Sequence, residues 1–155
     1  MSQFPYVSSE EPHELADDIR ELFQDLAARL SHERRAYSGE CHPPLDVLET
    51  DSAIEVVVDI CGVTPDALRV LFRAGVLLIV GEKAPVPTGT EQSYHLVERE
   101  FGRFARAVRV TGAFDVTHAR AVLANGELRI LLPKVKERRG MGHHVLVTAA
   151  PEPSS

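Results

Sequence analysis

AVLANGELRILLPK, residues 121–134, holds two short apolar runs on either side of Asn125-Gly126. That dipeptide is the strongest short turn signal in the chain, because both positions of a tight hairpin turn need a positive φ. Leu128, Ile130 and Leu132 alternate with Glu127, Arg129 and Leu131, and Ala121 and Leu123 lead into the turn. Pro133 ends the run. A period of two means one face in and one face out, so a hairpin of antiparallel strands is expected here.

The same period runs upstream. Ile54, Val56, Val58 and Ile60 alternate with Glu55, Val57 and Asp59, and Leu68, Val70 and Phe72 repeat the pattern. Arg73-Ala74-Gly75 then turns the chain into Val76–Val80, which is apolar on both faces and predicts a central strand. Phe104, Arg106, Val108 and Val110 share one face of a further strand. Seven or eight short strands with tight turns and no interleaved helix predict an all-β fold, an antiparallel immunoglobulin-like sandwich over residues 43–136. Lys83–Ser93 is longer than a hairpin needs and carries Pro85, Pro87 and Gly89; Tyr94–Val97 after it reads as a short strand.

The flanks read differently. Residues 9–35 predict a helix, with Ser9 as cap and acidic first turns, and the linker Ala36–Pro43 closes an arm covering 1–42. Leu15, Ile19, Leu22, Phe23, Leu26 and Leu30 form one apolar stripe. Its partner is open: its own domain, another subunit, or a captured protein. Residues 137–155 form an extension whose Gly-containing start tethers the isolated triplet Val145-Leu146-Val147. If extended, Val145 and Val147 point one way and Leu146 the other.

The formal charge of −6 is uneven, with nine Asp/Glu against four Lys/Arg in residues 1–42. No basic footprint for nucleic acid is visible. Val76–Val80 is too short to span a bilayer and the start carries no secretory signal, so a cytoplasmic protein without membrane insertion is expected. Cys61 lies in an apolar run and is expected in the core; Cys41 falls in the linker. Neither Cys41-His42 nor His143-His144 has zinc-ligand spacing, and nucleotide loops and a nucleophile elbow are missing. No cofactor, metal site or catalytic residue is therefore expected, and the chain does not read as an enzyme. Arg106 shares an inward strand face, which leaves two readings: an edge position where it snorkels to water, or an ion pair desolvated in an interface.

Four stretches, in order, resemble the α-crystallin domain of small heat-shock proteins, in their bacterial and plant branch. They are Pro44-Leu45-Asp46-Val47 with the strand to Val63; Val76–Lys83; Tyr94-His95 with Glu98-Arg99-x-x-Gly102-x-Phe104-x-Arg106; and Ala121-x-x-x-Asn125-Gly126-x-Leu128 closing on Pro133-Lys134. The sequence departs from the pattern at Cys61 before Gly62-Val63, at Val110-Thr111-Gly112, and in its Val-Leu-Val tail. The resemblance implies an ATP-independent holdase that binds unfolding client proteins and self-assembles from dimers into larger homo-oligomers. It implies that Tyr94, His95, Leu96, Val97 and Glu98 pair with Leu45, Asp46 and Val47 of a partner, with Arg106 at the same interface. It also implies that Val145 and Val147 anchor on another subunit, in a groove of Val70, Phe72, Ala121 and Leu123, and that the N-terminal stripe serves assembly and clients. A CS-domain adaptor of an ATP-driven chaperone uses a similar sandwich and is the alternative.

Overall fold

Alternating burial builds two sheets here. In the computed structural model, which describes residues 12–29, 40–85, 89–135 and 143–151, Ile54, Val56 and Val58 of β2 (Ala53–Asp59) are buried while Asp59 is exposed. Leu128, Ile130 and Leu132 of β7 (Glu127–Pro133) match them across an antiparallel ladder. β1 (Leu45–Glu49) and β6 (Arg120–Ala124) flank this pair. The second sheet orders β5 (Gly102–Arg109), β4 (Val76–Lys83) and β3 (Leu68–Arg73). Two short strands from the C-terminal extension, β8 (His143–Val145) and β9 (Val147–Ala149), complete one sheet each. The predicted sandwich is observed.

The turns follow their chemistry. Asn125 and Gly126 both have positive φ, 53° and 77°, so the hairpin closes with Ala124 opposite Glu127. Ala74 and Gly75 repeat that geometry at φ 51° and 77° between β3 and β4. Alanine holds the left-handed position there against the clash of its Cβ with the following carbonyl, a cost of about 1–2 kcal/mol.

β4 is the strand that is apolar on both sides, and each side meets a different layer. Leu77 and Ile79 face the inter-sheet core with Val56, Val58 and Ile130, all fully buried. Leu78 and Val80 face outward, where α1 (Pro12–Arg29) covers them with Leu22 and Leu26. Residues 12–29 of the predicted helix are helical, and residues 9–11 and 30–35, with Ser9 and Leu30, lie outside the described residues.

Gly81 continues β4 where a side chain has no room. A Cβ there would collide with the Phe104 ring and lie 2.9 Å from both the Ala67 carbonyl oxygen and Leu68 Cδ2.

The cysteines exchange their expected places. β2 ends at Asp59, and the Ile60 N–H bonds the Gly126 carbonyl at 2.7 Å, so Cys61 sits in a turn rather than on the buried face. It is exposed. Cys41, expected in the linker, is half-buried against the main core, and its N–H donates to the Arg103 carbonyl at 3.0 Å. Tyr94–Val97 also departs from expectation: described residues 89–101 contain no strand.

Candidate assembly and client surfaces

A sandwich has two open sides, and this one treats them differently. On one side β3 and β6 would be sheet edges, and the extension lies between them. Val145 pairs with Val70 antiparallel, opposite the run in which His143 pairs with Phe72. Two residues later Val147 pairs with Ala121, and Ala149 with Leu123, this time parallel. The Ala150 N–H donates to the Leu123 carbonyl at 3.1 Å. Val145 is 9% exposed and Leu146 81%, so the alternation read from the triplet is the alternation seen. All four expected groove residues contact the tail strands, and in this single chain the tail in the groove is its own. A cleft of about 460 Å³ opens beside it, bounded by Asp25, Pro65, Arg69 and His144.

On the other side stand β1 and β5. Among the described residues no strand pairs with the outer edge of β1, which carries Leu45, Asp46 and Val47. Glu40 bridges to Arg103 on the β5 edge. Arg106 is half-buried on the inward face of β5, and its Nη1 donates to the Pro43 carbonyl at 2.5 Å, the last residues before β1. Within one chain the guanidinium therefore spans the gap between the sheets. The segment expected to meet β1 of a partner stands away from the domain. Tyr94, Leu96 and Val97 are 65%, 73% and 62% exposed, and His95 and Glu98 are exposed too. Its base is held by Phe101, with Arg99 5.1 Å and Lys83 5.9 Å from the ring centre.

The third surface lies under α1. Leu22 and Leu26 are 3% and 2% exposed against Leu71, Leu78 and Val80, with Leu15, Ile19 and Phe23 packed alongside. Of the choices left open for the stripe, the structure shows packing on its own domain. Burying two leucines there is worth about 1.5–3 kcal/mol each. Ion pairs join helix to sheet, with Asp18 against Arg73 at 2.6 Å and Asp25 against Arg69 at 2.7 Å.

Burial pushes the Cys41 thiol above its ordinary pKa, a shift opposed by the charge of Lys83. Sequence periodicity missed this residue because its burial comes from the chain crossing the β5 edge, not from a strand's alternation.

Residues 46–148 match the Hsp20/alpha crystallin family. The chain belongs to that family. It is 30% identical over 121 residues to heat shock protein 16 of Schizosaccharomyces pombe, covering 77% of this chain and 85% of that one. The solved structure of heat shock protein 16.0 from the same yeast superposes with a TM-score of 0.60 at 30% identity, over 64% of this chain and 93% of that chain. A small heat-shock protein from Xylella fastidiosa, with a distinct high order structure, superposes at 0.55 and 25% identity, over 65% and 95%. The protein is thus an ATP-independent small heat-shock chaperone and not an enzyme, and nothing in these likenesses points to a CS-domain adaptor. α1 lies outside the matched span.

Proposed function

We propose that this chaperone works in the cytoplasm as dimers that assemble further, with three parts: an arm (1–42), a sandwich (43–136) and an extension (137–155). Tyr94–Glu98 of one subunit adds a strand to the open edge of β1 of its partner, where Leu45, Asp46 and Val47 receive it, and Arg106 lies at that seam. The observation that carries this reading is the exposure of Tyr94, Leu96 and Val97 in a chain whose β1 edge also has unpaired backbone groups among the described residues. Such a run is unfavourable in water and is satisfied by a second subunit. The tail groove supports the next level: Val145 and Val147 of one subunit take the seats between β3 and β6 of another, making the same backbone pairs in trans. The apolar stripe Leu15–Leu26 and the sheet face beneath it form the surface offered to unfolding clients, which need only apolar cover to be kept apart.

The test is a light-scattering mass paired with a turbidity assay on a heat-denaturing enzyme without nucleotide. Replacing residues 84–97 by a short Gly/Ser link should give folded monomers. A variant that keeps the native dimer mass would place the dimer seam elsewhere, and a native chain that fails to suppress turbidity at several-fold molar excess would end the holdase reading.

A further inference from the structure

The face that α1 covers has a charge pattern as well as an apolar one. The ladder of the four-stranded sheet puts Leu71, Leu78 and Ala107 in one outward row and Arg69, Val80 and Ala105 in the next. Arg73, Val76 and Arg109 form the row beyond one end, and Glu82 with Arg103 the row beyond the other. A small apolar field is therefore framed by Arg69, Arg73, Arg103 and Arg109, with the Glu82 carboxylate beside Arg103 leaving the frame net positive. Residues 12–29, in contrast, carry five Asp/Glu against two Lys/Arg.

The fit between them is one of register. Asp18 and Asp25 are seven residues apart, two helical turns, or about 10.5 Å along the axis. Arg73 and Arg69, which hold them, are four residues apart in β3, about 13 Å, and long arginine side chains close the difference. Leu22 and Leu26 fall between and beside the two grips and fill the field. Arg103 stacks 5.4 Å from the centre of the Phe23 ring at the far side. In each ion pair one partner is largely covered, Arg69 at 14% and Asp18 at 14% exposure, so the charges are read in a partly desolvated setting.

We propose that this face is a receptor for acidic amphipathic helices, that α1 is its resident occupant, and that the clients it holds are proteins whose unfolding releases such helices: carboxylates two turns apart, with large aliphatic side chains between them and just beyond. The proposal rests on the holdase reading and names the client chemistry for this one surface. An apolar patch alone accepts any greasy segment; four arginines around it reject basic ones and favour acidic ones, since a like charge against the frame repels. The tethered α1 competes at an effective concentration on the order of millimolar, so a client helix gains entry when α1 is loosened.

The probe is a fluorescein-labelled peptide of residues 12–29, titrated by anisotropy against the full chain. In the D18K/D25K chain the resident helix is repelled, and the native peptide should bind at least tenfold tighter than to the unaltered chain. A peptide carrying the same two lysines should bind at least tenfold more weakly, and the gap should narrow in 0.5 M salt. In the R69E/R73E chain the preference should invert. An unrelated peptide with aspartates seven apart, one leucine between them and one just beyond, should match the native peptide within about threefold. Circular dichroism checks that both variants keep the sandwich. An unchanged order of preference in R69E/R73E overturns the proposal. So does a hundredfold advantage of the native peptide over the unrelated one, which would make α1 of a second copy the occupant. Loss of turbidity suppression by the unaltered chain, with the peptide preferences intact, would instead remove the holdase reading and leave the receptor standing.

Discussion

The tail in its groove and the helix on its sheet are both flanking segments docked on one sandwich, but they are held by different physics. The tail is held through its backbone, adding a strand to each sheet and seating two valines. Backbone pairing is indifferent to most side chains, so such a seat makes few demands on the sequence of the strand it receives. The helix satisfies its own backbone and is held entirely by side chains, apolar in the middle and charged at the margins. That contact discriminates. One end of the chain is held by backbone pairing and the other by side-chain complementarity, and of the two only the tail falls in the span matched to the family, as far as residue 148.

The comparison breaks most completely if the shared platform fails. Gly81→Ala would drive a methyl group into Phe104, the Ala67 carbonyl and Leu68; overpacking of this kind costs about 1–3 kcal/mol. A drop in thermal midpoint, with loss of protection in both α1 and the tail, is the expected result, and an unchanged midpoint would show that the strands shift freely. Leu26→Ala separates the two contacts. It should weaken α1 docking by about 2–3 kcal/mol while leaving the tail pairs intact, so hydrogen exchange should rise in residues 12–29 and remain slow at Val70 and Ala121. Equal loosening at both ends would mean the two seats are coupled. Val145→Ser with Val147→Ser is the converse. It removes up to about 2–3 kcal/mol of apolar burial and should lower the particle mass to dimers, with peptide binding under α1 unaltered.

Smaller effects sharpen the account of the platform. Ala74→Gly removes the Cβ from a left-handed position and should stabilise by about 0.5–1 kcal/mol, read as a higher denaturant midpoint. The thiols provide the finest contrast. Cys61 is exposed with Lys83 Nζ 3.6 Å from its sulfur, whereas burial keeps Cys41 protonated to higher pH. Iodoacetamide should therefore label Cys61 first, and raising the pH should bring Cys41 into reaction only later. Mass spectrometry of the labelled peptides would show the order; labelling of Cys41 first would mean that residues 40–44 leave the β5 edge readily.

What could be read in advance was whatever is periodic. Asn125-Gly126, the alternation of Ile54–Val58 and the two-sided Val76–Val80 run each follow from local geometry and a single core, and so does the opposition of Leu146 to its neighbouring valines. Cys61 was misplaced because its apolar neighbours and the ready burial of a free thiol suggested the core, whereas the chain leaves β2 at Asp59 and turns there, pinned by Gly126. Tyr94–Val97 reads as a strand by composition, but a strand needs a neighbour, and among the described residues none pairs with it. The helix stripe announced that it needed cover without saying where. Only the ladder, by setting Arg69 and Arg73 at matching stations, identifies the seat. Likewise no pattern around Gly81 reveals that Phe104 leaves no space for a side chain.

One consequence follows from the tail sealing β3 and β6 together. If a protease cut between Val135 and His143, a single nick would uncover both strands, each with a row of unsatisfied amide and carbonyl groups flanking buried side chains such as Val70 and Ala121. Such rows recruit further strands indiscriminately. The clipped protein would then be more than a smaller chaperone: it would be a seed, prone to the same kind of aggregation that a holdase keeps in check.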